Sequence, residues 1–153
     1  SSLEAKSFHF FIPTLLKNGE GHPLAITILI LLLSRELNLA IYKVSHGDIP
    51  ALVYLDIPEF LSANPTRLNE YDTLFYISLD HHIDVFGKNQ FSEYIDHLHI
   101  TDNQDLNAVP DIQLIRIVLL KLKLSYEEEN NDLKYSQVTQ LLNVCSNSMH
   151  MKD

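Results

Sequence analysis

The stretch Leu24–Leu33, LAITILILLL, decides how this chain is read. Ten residues run without a charge, and Thr27 alone is polar. A bilayer span needs about 20 apolar residues, and Arg35-Glu36 follow at once. The run is therefore expected to be a helix apolar all round, buried in a core with other elements on every side. His22-Pro23 precede it, with Pro at the first helical position, where a missing N–H costs nothing. Asn38 is expected to end it.

Upstream, Phe8 to Lys17 carries Ile12, Leu15 and Leu16 at the spacing of a short amphipathic helix, with Pro13 in its first turn. Asn18-Gly19 stops that helix, as Gly commonly does just past a helix end. Phe8, Phe10 and Phe11 are expected to staple the N-terminal segment to the core. Downstream, AIYKVSH and PALVYLD are rich in β-branched and aromatic residues. They read as paired antiparallel strands around a turn at Gly47-Asp48. Residues 58–71 carry Pro58, Asn64-Pro65 and Asn69 and read as loop. LFYISL, from Leu74 to Leu79, reads as a third strand, and Ile83 to Gly87 as a short fourth. Phe91, Tyr94, Ile95 and Leu98 have helical spacing, with Ser92 or Asn89 as the cap.

Residues 101–107 read as a polar linker. Pro110-Asp111 then open a helix with Ile112, Ile115, Leu119 and Leu122 on one face, running to about Tyr126. Glu127 to Asp132 make a turn. A last helix carries Leu133, Val138, Leu141, Leu142 and Cys145, and the tail from Ser146 is expected to fray. The short connection makes the two an antiparallel hairpin. The whole predicts an α+β chain: a buried central helix on a small antiparallel sheet over residues 1–100, and a C-terminal helical hairpin over 101–153, packed as a single compact unit.

The chain has 153 residues, 46% hydrophobic and 20% charged, with a net charge of −9. That is enough length for one ordinary core. Such an acidic chain repels phosphate backbones, and Arg116, Lys121 and Lys123 are its sole basic concentration, so no nucleic-acid partner is expected. One cysteine, Cys145, permits no disulfide framework and fits a reducing cytoplasm. The start, SSLEAKSFHFF, is no signal peptide. Ser1-Ser2 read as a tag remnant or an internal cut, so that the numbering begins inside a longer protein. No membrane association is expected.

KNGEGHPLAITILILLLSRELNLAIYKV resembles the first core segment of the bacterial transglutaminase-like superfamily, in the uncharacterised branch whose core is followed by a TPR-like helical hairpin. IPALVYLDI and LFYISLDHHIDVFGKNQFSEYID follow in the order of that branch's strands and acidic helix. DIQLIRIVLLKLKLSYEEENNDLKYSQVTQLL is similar to its closing hairpin. The resemblance covers nearly the whole chain and implies a transglutaminase/papain-like core, with further helices upstream of this segment.

Active members place a Cys at the N-terminus of the central helix, a His on the next strand and an Asp on the one after. A helix N-terminus favours a thiolate, the His moves the proton and the Asp orients it. By the resemblance these places fall at His22-Pro23, Pro50 and Ser78, none of which can do the corresponding chemistry. Cys145 lies on an apolar helical face and reads as a packing residue.

Two rebuilt chemistries are conceivable. His22 and His46 near the old cleft would bind a metal or shuttle a proton; otherwise His22 caps or packs at the helix start and His46 sits in a solvated turn. Asp80-His81-His82-Ile83-Asp84 holds good zinc or manganese ligands. In an extended segment, though, His81 and His82 point to opposite faces. His97 and His99 likewise lack the i, i+4 spacing that shares a helix face. Glu127-Glu128-Glu129 reads as a solvated turn, with partner binding as the other reading. The resemblance thus implies a cytoplasmic pseudoenzyme acting through protein–protein contacts, with a regulatory role and no cofactor. The alternatives are a metal-assisted hydrolase using the Asp80–Asp84 run and an unrelated α+β binding module.

Overall fold

The structure, a computed structural model, describes residues 6–45, 51–57, 68, 71–79, 82–97 and 107–150. It is mixed helix and sheet. Among the described residues the order is a 3-10 turn (Ser7–Phe10), α1 (Ile12–Asn18), α2 (Pro23–Glu36), β1 (Ile41–Ser45), β2 (Ala51–Leu55), β3 (Thr73–Ser78), β4 (Asp84–Phe86), α3 (Lys88–His97), β5 (Asn107–Ala108), α4 (Asp111–Glu128) and α5 (Asp132–His150). Two compact units partition the chain: Ser1–Ala25 with Pro110–Asp153, and Ile26–Val109. This differs from the expected division at 100/101, because the N-terminal 25 residues group with the closing helices.

In the sheet unit the strand order is β4-β3-β2-β1-β5, and every pair is antiparallel. Four residues separate the end of α2 from the start of β1, and Leu55 N–H of β2 donates to Ala40 C=O in that connection. β2 is the central strand, and Ala51, Leu52, Val53 and Leu55 are all buried in it. Strand alternation divides these side chains between the two faces. One face carries Val44, Ala51, Val53 and Tyr76 to a core completed by Phe91 of α3, whose ring lies on Tyr76 with centroids 3.8 Å apart and planes within 5°. The expected turn at Gly47-Asp48 lies outside the described residues. Residues 58–71, expected as loop, lie largely outside them too, while the linker's last residue, Asn107, pairs with Ser45 in β5.

α3 is capped differently from the expectation. The helix begins at Lys88, so Asn89 and Ser92 lie inside it. Gln90 Oε1 instead accepts the N–H of Gly87 at 3.0 Å, the back-reaching half of a capping box. The stretch of α2 in this unit is not buried all round. Thr27, Leu31 and Ser34 form a buried stripe at i, i+4, i+7, while Leu32 and Leu33 are about half exposed at 49% and 52%. α2 ends in a Schellman arrangement: Asn38 is left-handed at φ 54, its N–H bonds Arg35 C=O, and Leu39 N–H bonds Ser34 C=O.

The helical unit is built on α4 and α5, which pack along each other around Tyr126, Val138 and Leu142. α4 also closes with a left-handed Asn, Asn130 at φ 54, with Asn131 N–H bonded to Tyr126 C=O. Of the face expected for α4, Leu119 and Leu122 pack against the cluster of Tyr126, Val138 and Leu142 and Ile112 is partly buried, whereas Ile115 is exposed; Leu114 and Tyr126 are the buried apolar residues of the helix. α5 continues as helix to His150, where fraying was expected from Ser146. The N-terminal segment is fastened to the hairpin by Glu129, which accepts from Ser7 N–H at 2.7 Å and Ser7 Oγ at 2.8 Å. Phe10 is buried, whereas Phe8 and Phe11 stay partly exposed, so one ring of the three does the stapling. In α1, Leu15 is buried and Leu16 exposed; Gly19 at φ 72 caps it by donating to Leu15 C=O.

Candidate functional site

The place the resemblance gives to a nucleophile, at the start of α2, is held by backbone and ring contacts within the helical unit. His22 N–H donates to His9 C=O at 2.9 Å, and His22 C=O accepts from Ala25 N–H at 2.8 Å. Pro23 brings no N–H, so Leu24 supplies the first donor of the helix, and it donates to His22 Nδ1 at 3.1 Å. The His22 ring lies over Phe10, with centroids 4.4 Å apart and planes inclined by 30°. Burial lowers the His22 pKa from its ordinary value of 6.5, and the charges of Lys121 and His9 push the same way. His22 is thus a neutral helix cap whose Nδ1 is already occupied.

Ser78 is buried in β3 of the sheet unit, in register with Ala51 of β2 and Asp84 of β4. Pro50 and His46 lie outside the described residues, as do Asp80, His81 and His99. His82 and Asp84 are exposed near the β4 edge of the sheet, and His97 Nδ1 donates to Glu93 C=O at 2.9 Å within α3. Among the described residues no group of three or more His, Cys, Asp or Glu side chains could hold a metal ion. Cys145 is half-buried in α5.

Phe10, His9 and Lys121 were not legible as neighbours of His22 in the sequence. His9 and Phe10 sit in an aromatic run that reads as core, and nothing in spacing ties residue 121 to residue 22. Buried polar side chains in the sheet unit include Thr27, legible as the one polar residue of its run, and Lys43, which the sequence reading did not single out. Thr27 is fully buried and its Oγ1 has no partner among the described residues. Lys43 is buried in β1 and its Nζ donates to Val44 C=O at 2.7 Å. No family model, no curated protein and no solved structure matches this chain. Among the described residues no helix is long and apolar enough to cross a membrane.

Proposed function

We propose that this chain is a non-catalytic domain of transglutaminase-like type, cytoplasmic, which works through contacts with another protein. The observation that carries the reading is His22. In this reading α2 is the helix that bears the nucleophile in active relatives, and His22 stands at its start, engaged as a cap through Nδ1. The Asp place is Ser78, a buried residue without a carboxylate. Leu124, Leu133, Leu141 and Val144 leave apolar surface exposed on α4 and α5, which suits a domain that contacts other proteins. An acyl-trapping experiment tests the proposal. The chain is incubated with an activated acyl ester and its intact mass is followed before and after a primary amine is added. The expected result is no adduct that the amine discharges. An adduct mapping to residues 19–27 that passes to the amine would overturn it.

A further inference from the structure

We propose that the start of α2 is an acid-sensitive latch, in which protonation of His22 at Nδ1 breaks the cap that holds the first helical turn. An N-cap is usually Ser, Thr, Asp or Asn, whose side-chain oxygen accepts over the whole neutral range. Here the acceptor is an imidazole nitrogen, which accepts while neutral and becomes a donor once protonated. The Leu24 N–H that it receives is the first donor of α2, because Pro23 has none. With Nδ1 protonated, that N–H faces another N–H and has no acceptor within the helix.

The surroundings reinforce the effect. Among the described residues, Lys121 from α4 and His9 from the 3-10 turn are the charged and titratable groups that act on His22, and both disfavour its protonated form. An imidazolium also meets the positive end of the α2 dipole. The face of Phe10 would favour a cation, but burial and the two cations outweigh it, since the net direction is downward. Because burial holds the His22 pKa below its ordinary value, the latch is closed at neutral pH and opens only in acid, and what it releases is the backbone around His22: the first turn of α2 and the His22 N–H bond to His9 C=O.

Amide hydrogen exchange of the full chain tests this, read as protection factors so that the intrinsic pH dependence of exchange cancels. Leu24 protection should fall about fivefold between pH 7.5 and the acid limit of the folded range, the loss of one cap. Val53, in the central strand, serves as the reference. In His22→Asn the cap accepts at every pH, and Leu24 protection should stay flat. An equal fall in His22→Asn, or no fall in the wild type, overturns the proposal. Should His22→Asn fail to fold, nitrogen NMR of the wild-type ring decides: Nδ1 must be unprotonated at pH 7.5 and gain its proton together with the Leu24 change. Nδ1 already protonated at pH 7.5, or protonated in acid with Leu24 protection unchanged, refutes the latch.

Discussion

Replacing Thr27 by Val should make this protein more stable. Thr27 lies in α2 with 0% of its surface exposed, and its Oγ1 is a buried side-chain polar atom without a partner among the described residues. Val has the same branched outline and nearly the same helix propensity, so the substitution exchanges a hydroxyl for a methyl and little else. A buried hydroxyl that makes no hydrogen bond costs about 1–3 kcal/mol. Removing it should raise the unfolding free energy by that amount, or the midpoint by about 2–4 °C per kcal/mol for a chain of this size. Urea unfolding, followed by the fluorescence of the seven tyrosines in a chain without tryptophan, gives the comparison directly. Thr27→Ser keeps the hydroxyl and loses the methyl, so the order of stability should be Val, Thr, Ser. A loss of about 1 kcal/mol in Thr27→Val would refute the reasoning, because it would mean that the hydroxyl is hydrogen-bonded.

Phe91→Ala should cost about 3–5 kcal/mol, since it empties the site of a fully buried ring and removes its stack on Tyr76; a loss under about 1 kcal/mol in urea unfolding would contradict that packing. Glu129→Gln offers one acceptor oxygen where the carboxylate offers two, so Ser7 should lose about 1 kcal/mol of protection in amide exchange. Unchanged Ser7 exchange would mean that Glu129 does not fasten the N-terminal segment. Stability should also depend on pH at both ends of its range. The folded pKa of His22 lies below 6.5, so the unfolded chain takes up its proton first and stability declines as pH falls through 6.5. The folded pKa of Tyr126 lies above 10.0, raised by burial and then by the Glu129 carboxylate, so stability declines as pH rises past 10.0. Denaturant midpoints against pH check both: His22→Asn should flatten the acid side and Tyr126→Phe the alkaline side.

Local signals in the sequence were reliable where a single residue governs the backbone. Pro23 starts α2, Gly19 ends α1 in the left-handed region, and Asn38 closes α2, each for a reason carried by that residue alone. The strands Ile41–Ser45, Ala51–Leu55 and Thr73–Ser78 were visible through their β-branched and aromatic residues. What was hidden depends on partners far away in the chain. α4 is apolar on several sides, so periodicity could not fix the phase of its buried face between Leu114 and Ile115. The Ser7–Glu129 contact spans 122 residues, and no sequence rule joins the N-terminal segment to the closing hairpin rather than to the sheet. The exposure of Leu32 and Leu33 shows the same limit in α2: composition marks a helix fit for burial on every side without saying which sides will be covered. At the candidate site, His22 was legible as a helix-start residue, but its engagement by Leu24 N–H, Phe10 and Lys121 required coordinates.

The most direct test of the non-catalytic reading is amide turnover by the full chain, with wild type and His22→Ala assayed side by side on synthetic glutamine-containing peptides, with and without an added primary amine. Neither protein should release ammonia or incorporate amine above the buffer rate. Turnover in the wild type that disappears in His22→Ala, while the variant keeps its fold by circular dichroism, would contradict it.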